Sequence, residues 1–387
     1  MRIVAFLLFA AATGGITYLF VRKLAPRLQK AAIRWVLVAF LYLLAASVVL
    51  DSFMSRWGFR GDSARYGFDA MVEFQSDRPY VYRVLFPALV RAGAAAIPRR
   101  WVERNEQFLL RETELNVYRE PRESWNLQKS LRWHVAYALL FLSLMGGMLL
   151  ARLFLRQFLP DLPPAFGDFA PPAGALFLML TFIHGGYVYD FPELVLLLAG
   201  ALLAARRRWL FYYAVFVLAV LNKETGVFLV AYFVALMWDE LPRRRLVSHA
   251  AIQLLLGGIV IAGLRYLFRD SAGQSIDWRL AEHFTTWTNP LSYWTFYDFS
   301  APLIWIPQAT NIITLGMIAA LTAFAWARLG AALRRLLVIV AIVNTILVLM
   351  GGYPGEVRNF SLLFPPLFAV AAAAVANLYE PRRLDPA

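Results

Sequence analysis

Long apolar segments recur along almost the whole chain, and they constrain its fold more than any other feature. A membrane-spanning helix needs about 20 apolar residues, roughly 17 to 25. Several segments have only about 14–16 residues, a length that suits helices ending inside a bundle, against a cavity. The segments lie at roughly 3–21, 33–50, 134–155, 173–188, 191–205, 209–221, 225–238, 247–267, 303–326, 333–350 and 361–379. They predict an all-α, polytopic transmembrane helix bundle of about eleven spans, forming one integral domain over residues 1–387.

The composition agrees with this interpretation. Hydrophobic residues make up 60% of the chain and charged residues 16%, whereas soluble domains average about 45–50% and about 25%. There is no cysteine, which excludes disulfides and thiolate metal sites. The net charge of +13 would suggest nucleic acid in a soluble protein, but membrane proteins concentrate Lys and Arg in cytoplasmic loops. We therefore expect membrane lipids as partners, and no nucleic acid.

Clusters of basic residues predict the orientation. When all of them are placed in the cytoplasm, the eleven spans alternate without conflict. The N-terminus then lies outside and the C-terminus lies in the cytoplasm. The content of Arg, Ala and Pro suggests a bacterial source, and hence the inner (plasma) membrane. The clusters lie at 22–34, 206–208, 243–245, 328–335 and 382–383.

In this topology, the long polar stretch at residues 52–133 is one loop on the outer face. Within it, residues 84–97 are apolar but few, and they include Pro87 and Arg91. If this segment crossed the membrane, every later basic loop would face outward. We therefore expect interfacial helices that lie on or dip into the outer surface. A second outer loop, rich in Trp and Tyr, is predicted at 269–302.

Asp62 in the first outer loop is the candidate catalytic base. A carboxylate just above the lipid boundary, close to apolar surface, can have a raised pKa and accept a proton. A solvated loop carboxylate explains the same residue type without any chemistry. Asp51, at the end of the second span, and Asp69, in the same loop, are alternatives for the role.

Nine further residues of the outer face are candidates for substrate binding. Arg binds phosphate bidentately and Tyr suits the membrane interface, while ionic residues at the ends of spans are costly without a partner or a function. Interfacial anchoring, helix capping and structural salt bridges explain the same residues, and the sequence leaves that choice open. The nine are Arg78, Tyr82, Arg83, Asp190, Glu193, Lys223, Glu224, Glu356 and Arg358.

These features together resemble the GT-C superfamily, the multispanning glycosyltransferases that use polyprenyl-phosphate-linked sugars. The resemblance covers most of the chain after about residue 35. It rests on the long first outer loop with its Asp, and on three motifs. These are Tyr-Asp-Phe-Pro-Glu at 189–193, Asn-Lys-Glu-Thr at 222–225 and Gly-Glu-Val-Arg-Asn-Phe at 355–360.

The resemblance implies a polyprenyl-phosphate sugar as donor, with Lys223 and Arg358 on the lipid phosphate and Asp62 deprotonating the acceptor on the outer face. Transfer in one displacement would invert the anomeric configuration. No cofactor is certain, and a divalent metal stays open. Two other classes also stay open. One is a transporter or flippase of lipid-linked envelope intermediates, which needs polar residues at mid-depth and internal repeats; the other is a non-catalytic envelope assembly protein.

Overall fold

A computed structural model describes most of the chain after residue 25. The first predicted span, 3–21, lies outside the described residues, as do Asp62 and residues 112–125 of the first outer loop. The described residues are 26–60, 63, 65–111, 126–182, 185–274, 278–289, 294–296, 305–307 and 312–379.

The described part of the chain is predominantly helical, as predicted. In chain order the helices are α1 (Pro26–Arg56), α2 (Phe68–Val72), α3 (Leu85–Ala96), α4 (Arg99–Arg104), α5 (Glu106–Arg111), α6 (Leu127–Phe158), α7 (Pro164–Thr181), α8 (Asp190–Ala205), α9 (Trp209–Asn222), α10 (Leu229–Met237), α11 (Arg243–Leu267), α12 (Leu280–Thr288), α13 (Ile312–Ala325), α14 (Ala331–Gly351) and α15 (Phe364–Tyr379). Short 3₁₀ turns occur at Tyr80–Tyr82, Glu224–Phe228, Trp326–Arg328 and Val357–Leu363. The sequence did not predict one antiparallel pair of strands, β1 (Trp294–Phe296) and β2 (Trp305–Pro307).

Five helical segments are long and apolar enough to cross a membrane, which gives the chain the character of a membrane protein. They are Ala32–Arg56, Leu127–Phe158, Arg243–Leu267, Ala331–Gly351 and Val357–Tyr379. Shorter apolar helices accompany them at Leu85–Ala96, Trp209–Asn222, Glu224–Met237 and Leu315–Arg328. The count of eleven spans stays a prediction.

Two predicted segments include residues that are not helical. The segment 173–188 becomes α7, which begins nine residues earlier and ends at Thr181. Pro164 suits its first position because the N–H that proline lacks has no partner there. At the other end, the indole of Trp57 donates to the carbonyl of Phe182 at 2.6 Å and holds the chain where the helix stops. In the segment 303–326, residues 305–307 pair in β2, and a helix runs from Ile312 to Ala325.

The first outer loop packs onto the bundle and is not a separate unit. Phe68 of α2 and Phe86 of α3 are fully buried in the same apolar cluster as Phe53 of α1 and Trp133 of α6. Burying one such side chain contributes about 1.5–3 kcal/mol. The loop is therefore held over the end of the bundle where α1 ends and α6 begins.

A second apolar cluster joins α8, α9, α10, α14 and α15. Tyr212, Tyr232 and Phe233 are fully buried within it. The hydroxyl of Tyr232 donates to the carbonyl of Leu362, so α10 is fastened to the turn that leads into α15. This packing brings the segment 357–363 next to the start of α8, where the candidate site lies.

Candidate functional site

Two buried carboxylates, Asp190 and Glu193, occupy the first turn of α8. A helix N-terminus carries partial positive charge and unpaired N–H groups, so acidic side chains are stabilised there. The backbone N–H of Tyr187 donates to Asp190 Oδ2 at 3.0 Å, which fixes the turn that enters the helix. The start of α8 therefore carries two negative charges that need cationic partners.

Lys223 supplies one of these partners from the segment between α9 and α10. Its Nζ is 2.7 Å from Glu193 Oε2 and 3.6 Å from Asp190 Oδ1. The hydroxyl of Thr225 donates to the other Glu193 oxygen at 3.0 Å. All three charged side chains are less than 10% exposed, so the lysine is fixed between two carboxylates away from water.

Arg358 supplies the second partner from the turn before α15. Its Nη1 is 3.6 Å from Asp190 Oδ2, and its Nη2 donates to Glu356 Oε2 at 2.8 Å. Gly185 lies against this pair. A Cβ atom at that position would come within 2.8 Å of Glu356 Oε1 and 3.0 Å of Arg358 Nε. The close approach explains why glycine is needed there.

Arg83 joins the network from the first outer loop. It donates to the hydroxyl of Tyr189, and its Nε is 3.4 Å from Glu224 Oε2. Burial lowers the pKa of Arg83, but the contacts with Tyr189 and Glu224 outweigh burial and raise the pKa above its ordinary value. Asn222 donates to the carbonyl of Tyr189 at 2.9 Å. These contacts fasten the loop and the end of α9 to the start of α8.

Stacked tyrosines separate the cations from one another. The rings of Tyr187 and Tyr189 are 5.2 Å apart and nearly parallel, at 9°. The guanidinium of Arg358 lies 4.5 Å from the centre of the Tyr187 ring, a cation–π contact. Burial, and then the neighbouring Tyr80, raise the pKa of Tyr187 above its ordinary value. The aromatic layer is therefore neutral, and it keeps the arginine side chains in fixed positions.

Arg60, which was not among the residues predicted from the sequence, lies against the same layer. Its guanidinium is 4.4 Å from the Trp57 ring, 4.8 Å from the Tyr187 ring and 5.2 Å from the Tyr66 ring. Within the described residues, Arg60 pairs with no carboxylate and its Nε has no hydrogen-bond partner. Its φ of +50° lies in the left-handed region, which is uncommon outside glycine and marks candidate functional positions. Arg60 could have been proposed from the sequence because it lies only two residues before Asp62.

The structure brings together seven of the nine predicted binding residues and leaves two apart. Tyr82 is 3% exposed and packs with Leu264 of α11. Arg78 lies beside the second outer loop, where its backbone N–H donates to the Ala272 carbonyl at 2.7 Å. The seven that form the network are Arg83, Asp190, Glu193, Lys223, Glu224, Glu356 and Arg358.

The three candidate bases have different surroundings. Asp62 lies outside the described residues. Asp69 is 2.9 Å from the ammonium of Lys129 and accepts the indole N–H of Trp133 at 2.9 Å, contacts that join α2 to α6. Asp51 is exposed on α1. Asp69 therefore has structural contacts, and the choice of the base among Asp51, Asp62 and Asp69 stays a prediction.

An apolar cavity of about 670 Å³ lies between α6, α7, α8, α13 and α15. Ser143 and Thr181 are the polar side chains among its lining residues. Phe191, next to Asp190, and Phe364, at the start of α15, both line it. Phe177 also lines the cavity and is 69% exposed, so the cavity reaches the side of the bundle. The charged network and the apolar cavity therefore adjoin at the start of α8.

The seven network residues comprise four carboxylates, Asp190, Glu193, Glu224 and Glu356, and three cations, Arg83, Lys223 and Arg358. Arg60 is a nearby fourth cation, which lies against the Tyr187 ring. Among the described residues, no group of three or more His, Asp or Glu side chains is placed to hold a metal ion, and the expectation of a divalent metal stays a prediction. Comparisons with protein-family models, curated protein sequences and solved structures give no match to this chain. What the site can do therefore follows from its own geometry.

Proposed function

We propose that this protein is a membrane glycosyltransferase that transfers a sugar from a polyprenyl-phosphate-linked donor to an acceptor on the outer face of the membrane. The observation that carries the proposal is the junction of the charged network with the apolar cavity, at Asp190 and Phe191. A lipid-linked sugar phosphate needs these two environments side by side. Its isoprenoid chain requires apolar surface, and its phosphate requires Arg or Lys.

The Asp190 carboxylate lies between Lys223 and Arg358 and contacts both loosely. Asp190 lies 3.6 Å from a cationic atom of each, beyond the usual length of a charge-assisted hydrogen bond, about 2.7–2.9 Å. Asp190 Oδ1 and Arg358 Nε have no hydrogen-bond partner among the described residues. On donor binding, Lys223 and Arg358 would exchange these long contacts with Asp190 for hydrogen bonds to a phosphate oxygen. Arg60, which like Arg358 lies against the Tyr187 ring, would add a third cation.

The proposed reaction is a single displacement. Asp62 takes the proton from an acceptor hydroxyl, and that oxygen attacks the anomeric carbon. The bond between the anomeric carbon and the phosphate oxygen breaks, and polyprenyl phosphate leaves with the bonding electrons. Arg358 and Lys223 stabilise the negative charge that develops on the phosphate, which is the main way in which fixed cations accelerate such a step. A divalent metal ion would supply the same stabilisation.

The membrane arrangement belongs to the same proposal. About eleven spans, an external N-terminus and a cytoplasmic C-terminus place the network on the outer face of a bacterial inner membrane, with α3 at the interface. Transporters bind their substrates near mid-depth. Here the network lies at helix ends, at the starts of α8 and α15 and the end of α9, which favours a transferase over a flippase.

The test measures transfer of labelled sugar from a polyprenyl-phosphate donor by the purified chain in lipid. We expect Asp62→Asn to lose at least about 100-fold in rate, as general-base variants do, and Asp51→Asn and Asp69→Asn to keep most of the activity. Full activity of Asp62→Asn would contradict the assignment of Asp62 as the base. Arg358→Gln is compared with Arg99→Gln, whose side chain is 91% exposed. Equal activity of the two Arg variants would contradict the role of the network.

A further inference from the structure

A second charged cluster lies at the other end of the bundle, around Asp168 of α7. Arg34 of α1 donates from Nε to Asp168 Oδ2 at 2.8 Å. Arg152 of α6 donates from Nε to Oδ1 at 2.7 Å, and Arg156 of α6 has its Nη2 3.4 Å from the same oxygen. One carboxylate therefore holds three guanidinium groups, each from a helix that packs beside it.

The position of this cluster follows from the length of α1. Arg34 and Phe53 lie 19 residues apart in that helix, which corresponds to about 28 Å along its axis. Phe53 packs below the charged network, in contact with the Phe191 ring at 5.0 Å. The separation is close to the thickness of a bilayer's hydrocarbon core, about 30 Å. The cluster therefore lies at the opposite membrane surface, which the basic loops predict to be cytoplasmic.

The cluster carries more positive charge than its own acidic group can balance. The Asp168 side chain is 1% exposed and that of Arg152 is 9% exposed, so these two form a buried pair. Arg34 and Arg156 are 49% and 47% exposed, and within the described residues their only ion pair is with Asp168. Three positive charges against one negative charge leave an excess of two at a surface open to an outside anion.

The surroundings of these two arginines are those of a membrane interface. Trp35 follows Arg34 in the chain, is 54% exposed and stacks with the Arg152 guanidinium at 4.5 Å. Leu37, further along α1, and Phe169, which follows Asp168 in the chain, are also exposed, by 53% and 48%. Trp is favoured at the level of the lipid headgroups. Cationic side chains above an exposed apolar surface match a phospholipid, whose phosphate lies above its acyl chains.

We propose that Arg34 and Arg156, positioned by Asp168, bind the phosphate of an anionic phospholipid in the leaflet opposite the charged network. Basic pockets between transmembrane helices on the cytoplasmic side bind anionic headgroups. This site is separate from the proposed sugar transfer, and it stands whether or not that function is correct. Arg152 is the buried neutralising partner, and its role is to keep the carboxylate in place.

The experiment is a titration of the full chain, stripped of lipid in neutral detergent, with phosphatidylglycerol or phosphatidylcholine, followed by native mass spectrometry. We expect wild type to bind phosphatidylglycerol more tightly. Each Lys or Arg near an anionic lipid contributes about 1 kcal/mol, so Arg34→Gln/Arg156→Gln should weaken the first binding event roughly 10- to 30-fold. Arg99→Gln, an exposed arginine outside this cluster, serves as the matched control.

Three results would overturn the proposal. The first is a double variant that keeps the wild-type preference for phosphatidylglycerol. The second is competition by inorganic phosphate at the same concentration as the lipid, which would indicate a site for free phosphate. The third concerns wild type alone and does not depend on the folding of any variant: binding at these half-exposed arginines should weaken as ionic strength rises, and binding insensitive to salt contradicts the assignment.

Discussion

The ion pair between Lys223 and Glu193 allows the sharpest test of the charged network. Their side chains are 9% and 4% exposed, and the Nζ–Oε2 distance is 2.7 Å. Substituting Lys223 with Met leaves Glu193 buried beside Asp190, with Thr225 as its remaining hydrogen-bond donor in the network. Removing one partner of a buried pair costs about 3–5 kcal/mol, because the other charge stays buried without compensation. We expect Lys223→Met to lower the free energy of unfolding by about that amount.

The measurement is a double-mutant cycle on the chain in detergent micelles. Unfolding is titrated with a denaturing detergent and followed by tryptophan fluorescence for wild type, Lys223→Met, Glu193→Gln and the double variant. The double variant should be more stable than the sum of the single changes predicts, because it no longer buries an unpaired charge. Contacting charged residues give coupling energies of about 0.5–3 kcal/mol, and burial places this pair at the upper end.

The exposed pair of Arg99 and Glu103 is the control. The distance between its charged atoms is similar, 2.8 Å, but the side chains are 91% and 56% exposed. Exposed pairs four residues apart in a helix contribute about 0.3–0.5 kcal/mol. A coupling energy for Lys223 and Glu193 no larger than that of this control would refute the buried geometry from which the site is built.

Three further predictions concern single residues around the network. Gly185→Ala places a methyl group against the Glu356 carboxylate and should lower transfer about tenfold, whereas Gly146→Ala, with nothing within 4 Å, should not; equal rates would contradict the close contact. Arg60→Gln should raise the KM for the lipid-linked donor about tenfold or more with little change in kcat, since one charged hydrogen bond contributes about 1.5–3 kcal/mol; an unchanged KM means that this arginine does not bind the donor. The pKa of Tyr187 is raised in the folded protein, so as pH rises above about 10 this tyrosine ionises first in the unfolded chain, and the free energy of unfolding falls. Tyr187→Phe should make this fall with pH less steep. Identical pH profiles of stability for wild type and variant would contradict the raised pKa.

The sequence predicted the helices well because the position of a helix depends mainly on the apolar residues within that segment. The predicted limits of 191–205, 209–221 and 333–350 lie within one or two residues of α8, α9 and α14. The error at 173–188 has a local cause, since neither Pro164 nor the contact between Trp57 and Phe182 is visible in an apolar pattern.

The site was harder to predict than the fold because its contacts join distant segments. Charges at the ends of spans are conspicuous in an apolar sequence, and seven of them indeed meet. Arg60 lies in a polar loop where a charge attracts no notice, and its environment arises from Trp57, Tyr66 and Tyr187. Tyr82 shows the opposite case: its residue type suits a binding site, and the structure places it away from the network, buried against α11.

Stability alone does not account for so many charges at one end of the bundle. Replacing a buried ion pair with well-packed apolar residues is often neutral or stabilising, because taking two charges out of water costs several kcal/mol per ion. The cluster around Asp168 joins three helices through a single carboxylate, so the network of four carboxylates and three cations exceeds what joining helices requires. The geometry of Asp190 points the same way. A purely structural carboxylate would be expected to close on Lys223 or Arg358, whereas Asp190 lies 3.6 Å from both, so the two cations keep hydrogen-bonding capacity for an anion that arrives with the substrate.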